Sequence, residues 1–302
     1  MTMKTTIAGV TFKNPIITAS GTFGFGREYN EFYDVGLLGG ICSKGLTLEP
    51  RQGNDPVRIA ETPSGLLNSV GLQNPGVEHF IEHELPFMKS TGAVVIANAA
   101  GSTESDYVKI AERLSSTDVD MIELNISCPN VKCGGMAFGV SPDGVYAITK
   151  AVRKVCKKPL MIKLTPNVSD IAENARAAER GGADAISLIN TVAGMAVDYK
   201  TRRPVLKAVG GGLSGPCVKP IALRMVYAAS KAVSIPVVGM GGVMTGEDAA
   251  EFMLCGASAV QVGSANIFDP YAALRIVNEL TKLAERDNIN DITSLIGGLR
   301  VE

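Results

Sequence analysis

The sequence has no apolar tract approaching the roughly 18 residues that a membrane-spanning helix needs, so we expect no transmembrane segment. Residues 1–12 also lack the apolar core and cleavage site of a signal peptide. The six cysteines include no Cys-x-x-Cys pair, which argues against a disulfide framework or a structural zinc site and favours a reducing, cytoplasmic location. With 29 basic and 30 acidic side chains, the charge directs the protein neither to nucleic acid nor to an anionic membrane.

Histidine is scarce, and the only two histidines lie in one motif. Residues 79–83 read His-Phe-Ile-Glu-His, which matches the His-x-x-Glu-His pattern of one class of zinc proteases. The match is only five residues long, lies in the acidic segment 78–84 and is followed by Pro86. We therefore interpret it as a solvated helix face and expect no metal.

Eight short apolar runs are typical of strands that are covered on both faces, as in a parallel sheet. They are residues 16–20, 40–44, 93–98, 121–127, 160–165, 185–190, 236–240 and 259–263. Helical patterns with capping residues lie between several of them, at residues 143–154, 170–180, 220–231 and 246–255. Repeated strand–helix units predict an α/β fold, either a (β/α)8 TIM barrel or a doubly wound sheet, and eight strands favour the barrel.

We expect one domain over residues 1–302, because no linker rich in proline and serine divides the chain. Residues 46–75 are rich in proline and glycine and are predicted to be a strand-free, elaborated loop on the active-site face of the barrel. Residues 210–216 are predicted to be a glycine-dense turn that lets the backbone approach a ligand closely.

Polar residues follow every predicted strand. Because the carboxyl ends of barrel strands meet on one face, we expect these residues around one pocket. Two lysines and three asparagines at one mouth suit an anionic ligand with hydrogen-bonding groups. The residues are Ser20, Lys44, Asn98, Asn125 with Cys128, Lys163, Asn190 with Thr191, Gly241-Gly242 and Gly263-Ser264.

Two of these positions point to chemistry. The segment 123–130, Glu-Leu-Asn-Ile-Ser-Cys-Pro-Asn, changes from an apolar run to a polar loop, and the Cys128 thiol is the group there that could take a proton near neutral pH. Lys163 ends an apolar strand, so it could stabilise negative charge on a cofactor ring or form a Schiff base. Its position does not separate these two roles.

The last two predicted strands end in the glycine-rich turns 239–243 and 263–265. Backbone N–H groups in such turns bind phosphate, and the loops after strands 7 and 8 are the usual phosphate site of this barrel class. Neither turn matches Gly-x-Gly-x-x-Gly, which argues against a Rossmann fold.

Together these motifs resemble the dihydroorotate dehydrogenase family, and the resemblance covers nearly the whole chain. The segments that carry it are 68–74, 125–130, 190–191, 212–216 and 238–242. A cysteine at 128 is similar to class 1 of the family, and residues 130–139 look like class 1B, although Cys133 stands where that class usually has glycine. The resemblance implies oxidation of (S)-dihydroorotate to orotate in de novo pyrimidine (UMP) biosynthesis.

The resemblance also implies cofactors and partners. This chain would bind FMN and pass electrons through a partner subunit carrying FAD and a [2Fe-2S] cluster to NAD+, as a homodimer within a heterotetramer. The FMN-binding residues carried over are Ser20, Lys44, Gly45, Asn98, Asn125, Lys163, Ile189, Gly215, Gly241, Gly242, Gly263 and Ser264. Those carried over for dihydroorotate are Lys44, Asn68, Gly71, Leu72, Asn125, Asn190 and Thr191.

In the mechanism that follows from this resemblance, the Cys128 thiolate takes the C5 proton of dihydroorotate and FMN N5 takes the C6 hydride. Lys163 then stabilises negative charge at the N1/O2 side of the reduced ring.

Three alternatives stay open. The first is another FMN barrel acting on pyrimidines, such as a dihydropyrimidine or dihydrouridine enzyme, although Lys44 and residues 68–74 favour a substrate with a carboxylate. The second is a lyase or isomerase that uses Lys163 as a Schiff base. The third is a non-catalytic binding subunit, which the full set of polar strand ends disfavours.

Overall fold

The apolar runs of the sequence form a closed barrel of eight parallel strands in a computed structural model that describes residues 1–127 and 138–301. The strands of the described part are, in chain order, β1 (Thr5–Ile7), β2 (Val10–Phe12), β3 (Ile16–Thr18), β4 (Gly40–Cys42), β5 (Ile59–Thr62), β6 (Gly65–Asn68), β7 (Val94–Ala99), β8 (Met121–Asn125), β9 (Leu160–Lys163), β10 (Ala185–Leu188), β11 (Val192–Met195), β12 (Val197–Asp198), β13 (Arg203–Pro204), β14 (Gly210–Ser214), β15 (Val237–Met240) and β16 (Ala257–Val262).

The α-helices of the described part are α1 (Arg27–Asn30), α2 (Val77–His79), α3 (Leu85–Ser90), α4 (Glu104–Ser115), α5 (Pro142–Arg153), α6 (Ile171–Arg180), α7 (Lys219–Ala232), α8 (Gly246–Leu254), α9 (Ala265–Phe268) and α10 (Ala272–Arg286). A π-helical turn, Phe80–Glu84, joins α2 to α3. Short 3-10 helices lie at Val35–Leu37, Pro216–Val218 and Ile292–Leu295.

The barrel strands follow one another in the order β3, β4, β7, β8, β9, β10, β15 and β16, and β16 pairs again with β3. All eight pairings are parallel, and helices lie between consecutive strands. The predicted (β/α)8 TIM barrel is therefore confirmed. Six of the eight strands end one or two residues before the predicted end.

Local capping signals place the helices where the sequence predicts them. The Asp170 side chain accepts hydrogen bonds from the backbone N–H groups of Ala172 and Glu173, at 2.8 and 3.2 Å, and so begins α6. Thr245 and Asp248 form a reciprocal capping box at the start of α8. None of the helices in residues 1–127 and 138–301 is both long and apolar enough to cross a bilayer.

An apolar layer fills the lower half of the barrel, with one residue from each strand. Its members are Ile17, Cys42, Ile96, Met121, Met161, Ala185, Val238 and Ala259. Ile7 and Phe12, from the β1–β2 hairpin, pack against this layer and close the amino-terminal end of the barrel. Because side chains alternate along a strand, the residue two positions further along each strand faces the same interior.

Two loop predictions are wrong in their secondary structure. Residues 46–75 are not strand-free, since they contain β5 and β6, although the segment does lie on the active-site face, and the predicted glycine turn at 210–216 is largely β14. These three strands and β11 form an antiparallel sheet in the order β11-β14-β6-β5.

Two glycines of β14, Gly211 and Gly212, have a packing role, which explains the error. A Cβ added at Gly212 would overlap Thr191 Oγ1, and one at Gly211 would lie 2.5 Å from the Asn68 carbonyl oxygen. Glycine therefore marks a close approach between strands at these positions.

The His79-to-His83 motif lies on the helical segment around the π-turn, with both histidines exposed and their rings stacked at 4.4 Å between centroids. The interpretation as a solvated helix face is confirmed. Among the described residues, no group of three or more His, Cys, Asp or Glu side chains is arranged to hold a metal ion.

Gly39 tests the close packing between β3 and the start of β4. Its backbone N–H donates to the Ile16 carbonyl at 2.9 Å, and an added Cβ would overlap the Asn14 carbonyl oxygen. We expect Gly39→Ala to lower the free energy of unfolding, measured by urea denaturation, by about 1–3 kcal/mol. Gly210→Ala is the control, because the nearest atom to its added Cβ would be 3.4 Å away, and its effect should stay within about 0.5 kcal/mol. Equal losses in the two variants would contradict this packing argument.

Candidate active site

One cavity lies at the carboxyl ends of the barrel strands, beneath the antiparallel sheet. Residues at or just after the ends of seven of the eight barrel strands line it, and Leu66, Asn68, Leu213 and Ser214 line it from the sheet. The site therefore forms where the sheet covers the barrel, in the position that barrel enzymes use for their active sites.

Most residues predicted for the site line this cavity. Those predicted for the cofactor are Ser20, Lys44, Gly45, Asn125, Lys163, Ile189, Gly241, Gly242, Gly263 and Ser264. All those predicted for the substrate line it too, namely Lys44, Asn68, Gly71, Leu72, Asn125, Asn190 and Thr191. The structure brings these side chains together, and their roles stay predictions.

Two predicted residues, Asn98 and Gly215, do not line the cavity, and a third lies outside the described part of the chain. Asn98 is fully buried behind Asn125, whose side-chain amide donates to Asn98 Oδ1 at 3.4 Å. Gly215 lies behind Gly242, since a Cβ added at Gly242 would come within 2.9 Å of the Gly215 carbonyl oxygen. Cys128 lies outside the described residues, so its predicted role as the base stays a prediction.

A polar layer lies above the apolar layer of the barrel. Two residues further along each strand are Ala19, Lys44, Asn98, Glu123, Lys163, Ser187, Met240 and Gln261. Ala19, Lys44, Lys163 and Met240 line the cavity. The other four are Glu123 and the three residues that donate to it, Asn98, Ser187 and Gln261. The floor of the cavity therefore carries two lysine side chains, Lys44 and Lys163, in contrast to the apolar layer beneath.

Glu123 is the centre of that layer and is fully buried. Its Oε1 accepts from Asn98 Nδ2 at 2.6 Å, Lys163 Nζ at 3.3 Å and Cys42 Sγ at 3.4 Å. Its Oε2 accepts from Ser187 Oγ and Gln261 Nε2, both at 2.8 Å. Five donors thus satisfy one carboxylate that has no access to water.

These contacts decide the charge of the groups involved. Burial alone would raise the pKa of Glu123, but the Lys163 ammonium and the hydrogen bonds from Gln261, Ser187 and Asn98 outweigh it, and the pKa lies below its usual range. Burial, reinforced by the charge of Glu123, raises the pKa of the Cys42 thiol well above its usual range. Glu123 is therefore a carboxylate and Cys42 a neutral thiol.

A chain of hydrogen bonds orients the amide side chains of the cavity wall. Asn190 Nδ2 donates to Ser127 Oγ at 2.8 Å, and Ser127 Oγ donates to Asn125 Oδ1 at 2.9 Å. Asn125 in turn donates to Asn98, and Asn98 donates to Glu123. The buried Tyr107 hydroxyl donates to the Asn125 carbonyl oxygen at 2.8 Å. Because each amide has a fixed partner, its donor and acceptor faces are defined for a ligand.

The glycine-rich turns give the cavity its shape. Gly241 and Gly242 have φ angles of +119° and +82°, which favour glycine, and a Cβ at Gly242 would also lie 2.8 Å from the Lys219 backbone nitrogen. A Cβ at Gly45 would come within 3.0 Å of Asn98 Oδ1 and 3.2 Å of a Leu72 methyl carbon. These positions leave space that side chains would fill, which suits the close approach of a flat ring and a phosphate.

Glu123, Ser127, Ser187 and Gln261 are the functional candidates that the sequence analysis missed. A signal for Glu123 exists, because it lies two residues before Asn125 on one strand and must share its face. An acidic residue inside an otherwise apolar strand that also carries a pocket residue points to a buried charge.

Comparisons with known proteins agree with this geometry. A protein-family model described as "Dihydroorotate dehydrogenase" matches residues 2–284 of the chain. Three bacterial relatives described as "Dihydroorotate dehydrogenase B (NAD(+)), catalytic subunit" are similar along nearly the full length. The relative from Thermoanaerobacter pseudethanolicus is 53% identical over 302 residues, 100% of both chains. The relatives from Alkaliphilus oremlandii and Bacteroides fragilis are 55% and 53% identical over 293 and 296 residues, 97% and 98% of each chain.

Removal of the Lys163 charge tests the buried pair through stability. In the wild-type protein, Glu123 contributes stability above its unfolded pKa. This contribution is lost as the pH falls through its lower folded pKa. In Lys163→Met the cation is gone, and burial raises the pKa of Glu123 above its unfolded value. Glu123 then destabilises the folded state, and this destabilisation grows as the pH rises above the unfolded pKa. We expect a loss of about 3–5 kcal/mol near pH 8 and a smaller loss near pH 5, measured by urea denaturation.

The control for this variant is Lys207→Met, which breaks an ion pair that is largely exposed, with Asp55. It should leave stability nearly unchanged at both pH values. A loss in Lys163→Met that is the same at both pH values would contradict the idea that the Lys163 ammonium keeps the pKa of Glu123 low.

Proposed function

The chain belongs to the dihydroorotate dehydrogenase family, and on that premise we propose that it is the catalytic subunit of an NAD+-linked enzyme that oxidises (S)-dihydroorotate to orotate in pyrimidine biosynthesis. The resemblance drawn from the sequence motifs is thereby confirmed. The observation that carries the proposed reaction is the cavity that combines two lysines, Lys44 and Lys163, with oriented asparagine amides above a buried carboxylate.

The cavity suits a substrate of this chemical class. Dihydroorotate has a carboxylate and a ring with amide donors and acceptors. Lys44 lies in the loop before β5, Asn68 is the last residue of β6, and both line the cavity. They supply a cation and an amide for the carboxylate. Asn125 and Asn190, whose side chains are fixed through Ser127, supply donors and acceptors for the ring edge.

We propose FMN as the cofactor of this chain, because the residues present fit it. The turns at Gly241-Gly242 and Gly263-Ser264 line the cavity and would hold the phosphate. The space left at Gly45, together with Ile189 and Asn125, would hold the ring system. When bound, FMN supplies the acceptor for the hydride from C6 of the substrate.

The residues of the chain perform the remaining tasks. Lys163 places a positive charge at the floor of the cavity, where it stabilises negative charge on whatever binds above it. Cys128 is proposed to take the C5 proton, in the segment that directly follows Ser127. The antiparallel sheet covers the cavity through Leu66 and Leu213 and limits the access of water.

The Schiff-base alternative fits the geometry less well. A lysine nucleophile must present its amine to a carbonyl group, and Lys163 Nζ instead donates to Glu123 Oε1 at 3.3 Å. We therefore favour an electrostatic role for Lys163.

The partner is also part of the proposal. The relatives are described as catalytic subunits, which implies a separate partner chain. We propose that this partner carries FAD and a [2Fe-2S] cluster, passes electrons to NAD+, and flanks a homodimer of this chain in a heterotetramer. We further propose that residues 1–302 act as one domain in the cytoplasm.

A visible spectrum of the purified chain is the direct test of the proposed function. The protein should be yellow and should bleach on anaerobic addition of dihydroorotate, and the colour should return with NAD+ only when the partner is present. Dihydrouracil, which lacks the carboxylate, is the matched control and should not bleach it. A chain that stays colourless after incubation with FMN, or one that bleaches equally with both compounds, would reject the proposal.

The role of Cys128 requires a separate variant. In Cys128→Ala the thiolate base is absent, so we expect kcat to fall by about 10²–10⁴-fold while the flavin spectrum is unchanged. Because a free thiol titrates near pH ~8.5, wild-type activity should rise as the pH approaches that value. Cys255→Ala is the control, since Cys255 ends α8 away from the cavity, and it should retain wild-type turnover. Substantial turnover in Cys128→Ala would show that another group takes the proton.

A further inference from the structure

We propose that Glu123 is a positioning residue that holds Lys163 at the cavity floor and balances its charge, and so limits how strongly the site favours negative charge on a bound flavin. This inference rests on the proposed function, since it takes FMN as the cofactor of the cavity. It assigns a role to a buried acid that none of the predicted binding or proton-transfer steps uses.

The position of Lys163 between Glu123 and the cavity is the first observation. Five described side chains donate to Glu123, and among them only Lys163 also lines the cavity. Lys163 is 3% exposed and Glu123 is 0% exposed. The carboxylate therefore acts on the cavity through the lysine and touches no ligand itself.

The second observation is the chemistry of the other four donors. Asn98, Cys42, Ser187 and Gln261 are neutral, so Lys163 is the single cation that contacts Glu123 in the described part of the chain. Together these donors keep the pKa of Glu123 low, and the carboxylate stays charged. The pair therefore has a net charge near zero at a distance, although its positive end lies closer to the cavity.

The consequence is a limit on the positive potential of the site. Lys163 lines the cavity, so its positive charge would act on a bound flavin without an opposing charge beside it if Glu123 were absent. Water does not screen a fully buried carboxylate, and its charge is felt over several ångströms. Glu123 thus offsets part of the attraction that Lys163 exerts on negative charge in the ring. A purely structural role would require the hydrogen bonds of Glu123 but not its charge.

Sulfite provides a probe of this potential that does not depend on turnover. It is an anion that adds to oxidised flavins, places negative charge on the ring and bleaches the visible band, so its Kd reports the potential at the flavin. In FMN-loaded Glu123→Gln, which keeps the shape but removes the charge, we expect the Kd for sulfite to fall about tenfold. In Lys163→Met, at a pH above the raised pKa of Glu123, the Kd should rise about tenfold, and in the double variant it should lie within about threefold of the wild-type value.

Ser187→Ala is the matched control, because it removes a hydrogen bond to Glu123 without a change of charge. Its Kd for sulfite should change less than about threefold. A Kd in Glu123→Gln that is unchanged or higher than in the wild type would overturn the charge-balance role, as would an equal shift in Ser187→Ala.

Two further outcomes are informative. If Glu123→Gln yields no flavoprotein, Lys163→Met is compared with the double variant at a pH above the raised pKa of Glu123, where its carboxylate is charged and its removal must strengthen sulfite binding about tenfold. Equal Kd values in that comparison overturn the inference. A wild-type chain that binds no FMN rejects the proposed function and the inference together, whereas FMN-loaded variants with equal Kd values reject the inference alone.

Discussion

A carboxylate without access to water lies near the centre of the barrel, and its need for hydrogen-bond donors organises the residues around it. Glu123 draws one donor each from β4, β7, β9, β10 and β16, so five of the eight barrel strands meet at one side chain. An unpaired buried charge is so costly that each of these donors is constrained in place. Asn98, one of these donors, also accepts a hydrogen bond from Asn125, and Asn125 is linked through Ser127 to Asn190. The wall of the cavity is therefore fixed from below before any ligand binds.

The barrel could be predicted because its signals are local. A parallel strand buried on both faces reads as an uninterrupted apolar run, and all eight runs became barrel strands. The helix starts at Ile171 and Gly246 could be predicted for the same reason, since a cap depends on a few neighbouring residues. Polar residues at the strand ends could be assigned to one face because parallel strands end together. Their grouping around the cavity therefore follows from strand direction alone.

The antiparallel sheet could not be predicted in this way. Its strands have no more than five residues, and β6 pairs with β14 across 144 residues of sequence, as at Asn68 and Gly212. Glycine and proline normally indicate turns, and here the demand for close packing between strands overrides that preference. The two layers of side chains inside the barrel could have been predicted from the sequence. The alternation of side chains along β8 places Glu123 on the same face as Met121 and Asn125, and only the assumption that an apolar run is uniformly structural hid it.

The cost of the polar layer is an argument for its function. An ion pair buried in a protein is generally no more stabilising than apolar side chains of the same volume, because both charges lose their hydration. This barrel already contains the alternative, since the layer directly below is apolar in all eight strands. Nothing in the fold therefore requires Glu123, Lys163, Ser187 and Gln261 in place of a second apolar layer. What separates the two layers is that one of them forms the floor of the cavity, so its charges are explained by what the cavity binds and not by the stability of the barrel.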